Sequence, residues 1–293
     1  MTRVKRLFES GLERAFLAAA LISTASVVLM TLFIFHRGLP LFREVSVFHF
    51  LFSPEWNPSD AAKPEYGILS FIVGAFFVTF LSLAIAVPVG VSTGIFLAEM
   101  AKRRIGSFLR SAVELLAGIP SVIYGLFGIA FVVPLVREIS GGSGYSVLSA
   151  GIILAIMTLP TIINMTEVSL RAVPNDLREG SWALGATKWQ TIVGVLLPAA
   201  RSGIVTGIVL GMGRALGETM AVLLVGGNAP IMPTGPFSMV RTLTMNIITD
   251  MSYAEGTHLT ALFSTAIVLF AFILGLNLFI QIALKNAVKE QTR

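Results

Sequence analysis

The chain has 293 residues, of which 55% are hydrophobic and 13% are charged, and it contains no cysteine. A mean hydropathy of +0.85 lies far outside the range of soluble proteins and indicates a polytopic membrane protein. The missing cysteines exclude disulfides and thiolate metal sites. The formal charge of +5 comes from basic residues scattered beside apolar segments, which argues against a nucleic-acid-binding surface.

Six apolar runs predict an all-α fold with six transmembrane helices, because each run is about as long as a bilayer is thick. In chain order they are 15–35, 66–98, 113–136, 147–165, 202–225 and 258–284. A cleaved signal peptide is the alternative for the first run. Its apolar part would be shorter and followed by a small-residue cleavage site, whereas this run continues into His36 and Arg37, so we expect a retained span.

Prolines and glycines predict irregularities within the spans. Pro88 predicts a kink in the second span, where Gly90 and Gly94 add a small-residue packing edge. Pro120 and Pro134 are expected to break the third span, and Pro160 to interrupt the fourth. The third span begins with Glu114, four residues after Arg110, and this spacing predicts a surface ion pair.

The segments between spans are expected to be exposed. We expect residues 38–65 to form an external loop with an interfacial Trp56, and residues 140–146 to form a short external turn. Residues 227–257 are expected to form an external segment with an amphipathic patch at 239–248. The histidines fall at or beyond span ends, and we expect solvated interfacial residues instead of metal ligands. They are His36, His49 and His258.

Basic residues set the orientation. The segments on one side hold about fifteen Lys and Arg and those on the other about five, which places both termini in the cytoplasm. The chain then divides into a first span with its external loop (1–66), a core (67–284) and a cytoplasmic tail (285–293), which together form one membrane domain.

Residues 171–201 form a polar island of about thirty residues between two apolar runs. Pro174 can open a helix because its missing N–H would be unsatisfied there anyway. Asp176 and Glu179 place negative charge in the first turns, where the helix dipole favours it. Gly185 then supplies a helix stop.

A second short helix is expected after that stop. Thr187 and Gln190 have the spacing of a capping box, and Leu197 with Pro198 is expected to end the helix before the fifth span. A connection between two spans needs only a few residues, so a folded loop of this length indicates a docking surface.

In this loop the chain resembles the membrane subunits of ABC importers, whose cytoplasmic loop couples to an ATPase and carries the signature E-A-A, then G, then I-x-L-P. The matching ATPase-coupling residues are Glu179, Gly185, Leu197 and Pro198. The chain departs from the signature at Gly180 and Ser181, which replace alanines, and at Val195, which replaces isoleucine. An ordinary amphipathic interfacial helix is the alternative.

The fifth span carries charges within GIVTGIVLGMGRALGETMAV. At 100° per residue, three of its glycines and two of its charges fall within an arc of about 80°, on one face of the helix. These residues are Gly203, Gly207, Gly211, Arg214 and Glu218. The glycines are expected to pack helices closely, and the mid-span charges to mark a substrate path, because an arginine fork suits an oxyanion. An Arg–Glu pair that only braces helices is the alternative.

The strings GRALGETMAV, RTLTMNI and ELLAGIPSVIYGLFG resemble PstC-type permeases of phosphate importers. The resemblance implies a type I ABC importer permease in the bacterial inner membrane that moves inorganic phosphate. It also implies a second, homologous permease, a pair of ATPase subunits that bind ATP, and an external phosphate-binding protein. Alternatives are a permease for another oxyanion such as sulfate or molybdate, and an ion-coupled secondary carrier.

The sequence has no features of an enzyme. No G-x-x-x-x-G-K-[ST] motif is present, so no loop of that kind holds ATP on this chain, and no cofactor is expected on it. An intramembrane enzyme is a third alternative, but the spans lack a plausible Ser-His, Asp-Asp or metal-ligand set, which leaves it little support.

Overall fold

The computed structural model of the chain describes residues 3–60 and 62–291. Within these residues, six helical segments are long and apolar enough to cross a membrane. They are Gly11–Arg43, Leu69–Met100, Ser121–Ser140, Val147–Arg171, Lys188–Gly217 and Gly256–Leu278. The predicted all-α fold with six spans is therefore confirmed.

The bounds of the described elements show that several spans consist of more than one helix. The α-helices are α1 (Arg3–Gly38), α2 (Val47–Phe52), α3 (Leu69–Ile95), α4 (Arg103–Gly118), α5 (Ser121–Phe127), α6 (Val133–Ser140), α7 (Val147–Arg171), α8 (Asn175–Ala183), α9 (Lys188–Thr191), α10 (Leu197–Gly217), α11 (Met220–Gly226), α12 (Leu243–Asp250) and α13 (Gly256–Gln291). Five-residue π-helical turns follow α3, α5 and α9, at Phe96–Met100, Gly128–Val132 and Ile192–Leu196. Strands β1 (Trp56–Asn57) and β2 (Glu65–Tyr66) pair antiparallel.

Helix α7 is the centre of the bundle and the most buried of the six spans. Two glycines of α3 lie directly against it, and a Cβ added to either would come within 2.8 Å of Ile162 or 2.6 Å of Thr166. Gly90 and Gly94 therefore form the predicted packing edge, because only a residue without a side chain permits this approach. We call the end of the bundle that carries residues 171–201 the loop end.

The start predicted for the third span was wrong. The helical break at Pro120 is present, but residues 113–118 belong to α4, an amphipathic helix on the loop-end side of the break. The apolar residues of α4 lie on one face only, so α4 packs on α7 instead of continuing a lipid-embedded span. The predicted pair between Arg110 and Glu114 is also wrong, because Arg110 donates a 2.7 Å bond to Glu167 of α7.

Two prolines do not end helices as predicted. Helix α7 runs through Pro160 without a break, and Pro198 lies in the first turn of α10. Proline inside a span is tolerated where neighbouring packing supports the helix, and Pro160 is buried. Because the π-helical turn at 192–196 already interrupts the regular bonding pattern, the missing N–H of Pro198 adds little cost. Helix α9 therefore continues into the fifth span.

The end opposite the loop end has its own apolar cluster, which includes Phe50, Trp56 and Phe71. Trp56 is buried and its indole N–H donates to Asp250 at 3.0 Å, so the predicted interfacial tryptophan is wrong. His258 is also buried, 3.3 Å from Asp250, so the solvated position predicted for it is wrong. A buried carboxylate needs several donors, and these side chains supply them.

Candidate functional site: the broken fifth span and the 171–201 loop

The fifth span is broken between α10 and α11. Glu218 has extended backbone angles (φ −70°, ψ 134°), so the prediction that it shares a continuous helix face with Arg214 was wrong. Its carboxylate accepts the Ala221 N–H at 3.1 Å, and its carbonyl accepts the Thr244 hydroxyl at 3.0 Å. These tertiary and capping bonds replace the helical bonds that a continuous span would make.

Arg214 lies in the last turn of α10, beside the break. Its side chain is exposed, and among the described residues it makes no ion pair and no hydrogen bond. The neighbouring Ala215 packs in the same apolar cluster as Tyr124 of α5, and Arg214 is close enough to Tyr124 to interact with it electrostatically. In this structure Arg214 and Glu218 therefore do not form an ion pair with each other.

The three predicted packing glycines of α10 are turned toward α7. Gly203 contacts Ser169, a Cβ on Gly207 would lie 2.5 Å from Met165, and one on Gly211 would lie 3.2 Å from Ile162. At Gly207 and Gly211 this face packs directly against α7. Arg214 lies at its edge, exposed beside the buried Ala215.

The first helix of the 171–201 loop has the predicted stop. Helix α8 follows Pro174, and Gly185 has a left-handed φ of +82°. The Gly185 N–H donates to the Trp182 carbonyl at 2.9 Å, and the Ala186 N–H donates to the Ser181 carbonyl at 3.2 Å. This bond pair is a Schellman motif, in which glycine is favoured because it adopts positive φ without strain.

The predicted capping box is also present. The Thr187 hydroxyl accepts the Gln190 N–H at 3.3 Å, and the Gln190 side chain accepts the Thr187 N–H at 2.8 Å. Glu179 and Gly185 lie on the exposed part of the loop, whereas Leu197 is half-buried in the first turn of α10. Pro198, in the same turn as Leu197, is exposed, so Leu197 is the one signature residue that is partly covered by the protein.

Large apolar side chains of the loop face away from the bundle. Leu184 is 91% exposed, and Trp182 and Trp189 are 50% and 62% exposed. Three large apolar side chains in one short polar segment form an exposed apolar patch, a feature that marks protein or membrane contacts. The exposure is greatest at the turn between α8 and α9.

Sequence reasoning missed the polar contacts that attach this loop to the spans. Arg178 of α8 bonds to Glu99, and Glu167 of α7 accepts bonds from Arg110 and Arg171. Glu99 and Glu167 lie at the ends of apolar runs, and that position was the available signal. Arg171 lies only four residues from Glu167, a spacing that the sequence does show, whereas Arg110 and Arg178 lie 57 and 79 residues from their partners, and such distant pairs leave no local pattern.

Residues 90–289 match the family described as the inner membrane component of binding-protein-dependent transport systems. The "Probable ABC transporter permease protein YqgH" of Bacillus subtilis is 45% identical over 239 residues, which cover 80% of this chain and 77% of that protein. The phosphate transport system permease protein PstC of Pasteurella multocida is 37% identical over 243 residues, with 76% and 75% coverage.

Solved structures share the fold. The bacterial alginate ABC transporter, in complex with an alginate-bound periplasmic protein, matches with a TM-score of 0.64 at 18% identity, over 94% of this chain and 96% of that one. The inward-facing MetNI methionine ABC transporter matches with a TM-score of 0.58 at 20% identity, over 75% and 94%. The architecture is therefore that of a type I ABC importer permease. The chain is similar to PstC phosphate permeases, and it belongs to the family of inner membrane components of binding-protein-dependent transport systems.

Proposed function

We propose that the chain is the membrane-spanning permease subunit of an ATP-driven importer of inorganic phosphate. Family membership and the PstC relatives support a transport role, and Arg214 is the observation that carries the assignment to an anion. Arg214 is exposed beside a helix break within an apolar span. On insertion scales, the free energy of placing an arginine in lipid at the centre of a span is unfavourable by about 2.5–3.5 kcal/mol.

That cost means that Arg214 faces a partner or a water-filled path in the assembled transporter. A guanidinium group presents a planar fork of N–H donors, which matches phosphate oxygens in a bidentate arrangement. Among the described residues no acceptor uses this fork. We therefore assign to Arg214 the role of contacting phosphate during its passage.

Glu218 supports this arrangement from the other side of the break. Its bonds to Ala221 and Thr244 fix the extended backbone that ends α10 one turn after Arg214. A carboxylate would repel phosphate, so its contribution is to the shape of the path and not to anion binding. It is a positioning residue.

The 171–201 loop supplies the surface for an ATPase partner. Its exposed Trp182, Leu184 and Trp189 are suited to burial in an interface, where tryptophan often contributes much of the binding energy. ATP is hydrolysed on that partner, because this chain has no G-x-x-x-x-G-K-[ST] motif. The loop end is then cytoplasmic, which agrees with the distribution of basic residues.

Two further partners complete the transporter. A second, homologous permease would cover the exposed faces of α5 and α10, including the edge that holds Arg214. A phosphate-binding protein would dock at the end opposite the loop end. The alginate transporter, which shares the fold, is solved in complex with a periplasmic protein, and this supports the second assignment.

Reconstitution tests the proposal. The chain, expressed with its neighbouring permease and ATPase subunits and supplied with the binding protein, should accumulate labelled phosphate in proteoliposomes only when ATP is present. Excess sulfate or molybdate should not compete. Uptake that persists without the ATPase, driven by an ion gradient, would identify a secondary carrier, and strong competition by sulfate would identify another oxyanion as the substrate.

A further inference from the structure

Arg178 is almost fully buried although it lies in a polar surface loop. Its side chain is 12% exposed, and its guanidinium group reaches acceptors on three segments. It donates to the Glu99 carboxylate at 2.8 Å, the Leu170 carbonyl at 2.7 Å and the Val173 carbonyl at 2.6 Å. These contacts join α8 to the end of α7 and to the π-helical turn after α3.

Helix α8 has little else to hold it in place. None of its nine residues, all of which the structure describes, is fully buried, so apolar packing contributes little. The Ser181 hydroxyl lies 2.9 Å from the hydroxyl of the buried Thr191, which connects α8 to the start of the fifth span. Arg178 supplies the polar attachment of α8 to α7 and to the turn after α3.

The turn that receives Arg178 is held by two more arginines. The Leu97 carbonyl accepts bonds from Arg110 of α4 at 3.3 Å and from Arg171 of α7 at 3.0 Å. Both arginines also donate to one oxygen of Glu167, at 2.7 Å and 2.8 Å. The turn at 96–100 is thus tied to α4 and α7 as well as to α8.

We propose that the Arg178–Glu99 ion pair transmits movement of α8 to the end of α3 and, through the Glu167 network, to α4 and α7. The inference rests on the proposed function, in which an ATPase docks on the exposed patch beside α8. When the ATPase moves α8, the pair carries that movement to the turn at 96–100, since none of the nine α8 residues is fully buried against other parts of the chain. Arg178 and Glu99 are positioning residues that touch neither phosphate nor ATP.

Double replacement separates coupling from stability. Arg178→Gln leaves Glu99 nearly buried without its cation, and Glu99→Gln leaves Arg178 without its anion. Each should reduce the phosphate transported per ATP hydrolysed by at least about fivefold in complexes that assemble. The double replacement should be less than additive, because both changes interrupt one contact. Arg178→Lys, which keeps the charge, should retain more coupling than Arg178→Gln.

Arg104→Gln is the matched control, because Arg104 carries the same charge at the loop end but is exposed and outside the loop. It should leave the transport ratio unchanged. The experiment uses the whole transporter, with ATP hydrolysis and phosphate uptake measured on the same proteoliposomes and normalised to assembled complex.

A purely structural role would lower the amount of complex and leave the ratio of phosphate to ATP unchanged in what assembles. That outcome would overturn the inference, as would normal coupling in both single variants. If Arg178→Gln does not assemble, Glu99→Gln tests the inference on its own. The amide oxygen introduced at position 99 can still accept a bond from Arg178, so this variant should assemble. Failure of the proposed function is distinguishable, since the unmodified complex would then transport no phosphate.

Discussion

Arg214 and Glu218 lie on opposite sides of a helix break and do not pair with each other. Arg214 lies in the last turn of α10 with an exposed side chain, whereas Glu218 has extended backbone angles and its carboxylate accepts the Ala221 N–H of α11 at 3.1 Å. Two residues four positions apart therefore have different roles. Arg214 presents a cation at the edge of the subunit, and Glu218 stabilises the backbone conformation that ends α10 beside Arg214.

The first prediction concerns the arginine fork. Arg214→Lys keeps the charge but loses the planar pair of donors, so phosphate uptake per assembled complex should fall, by about tenfold. Arg214→Gln should reduce uptake further. The measurement is initial uptake rate at equal amounts of inserted complex. Uptake by Arg214→Lys at the unmodified rate would show that the fork is not used.

The second prediction separates the cap from the charge at Glu218. Glu218→Gln keeps a side-chain oxygen for the Ala221 N–H and should preserve assembly. Glu218→Ala removes the acceptor and should destabilise the start of α11 by about 1 kcal/mol. Thermal unfolding of the purified subunit in detergent compares the two. Equal stability of both variants would contradict the capping role.

Local patterns in the sequence predicted local structure well. The Gly185 stop and the capping box of Thr187 and Gln190 could be predicted because the interactions involved lie within a few residues. The six spans followed from hydropathy alone. What could be predicted from the sequence was therefore the order of the six spans and the turn between the two loop helices.

Tertiary contacts explain what the sequence could not reveal. The break at Glu218 depends on Thr244, 26 residues away, and the burial of Trp56 depends on Asp250, 194 residues away. Neither contact has a local signature. The helical periodicity therefore placed Glu218 on the wrong face. Trp56 was predicted to be interfacial because it lies in a segment between two spans.

The third prediction concerns the turn between α8 and α9. Gly185→Val places a β-branched residue at a φ of +82° and should disrupt the Schellman motif, whereas Gly185→Asn is the control because asparagine tolerates this region. The open surroundings of Gly185 mean that backbone strain and not a clash causes the effect. ATPase activity stimulated by the loaded binding protein should fall in Gly185→Val and survive in Gly185→Asn. Normal stimulation in Gly185→Val would remove the turn from the coupling mechanism.

The fourth prediction concerns the packing of α10 on α7. A Cβ on Gly207 would lie 2.5 Å from Met165, whereas Gly213 in the same helix has no atom within 4 Å of its Cβ position among the described residues. Gly207→Ala should destabilise the subunit by about 1–3 kcal/mol through overpacking. Gly213→Ala should be neutral or slightly stabilising. Similar unfolding temperatures for both variants would show that the α7–α10 contact adapts freely.

The fifth prediction concerns the buried carboxylate at the end opposite the loop. Asp250 is 2% exposed and accepts bonds from Arg241 at 3.2 Å, from Trp56 at 3.0 Å and from Tyr253 at 2.7 Å. Asp250→Ala leaves Arg241 buried without its anion and should cost about 3–5 kcal/mol. Glu255→Gln, at an exposed position nearby, is the control. An unfolding temperature of Asp250→Ala equal to that of the control would contradict the network's structural role.

The most direct test of the central claim is phosphate uptake per assembled complex in the double variant Arg214→Gln with Glu218→Gln, compared with both single variants. If Arg214 contacts phosphate, removing Glu218 as well cannot restore the lost fork, and the double variant should remain as inactive as Arg214→Gln. If the two charges only brace helices in the assembled transporter, neutralising both should restore assembly and uptake together. Full uptake by the double variant would contradict the path role of Arg214.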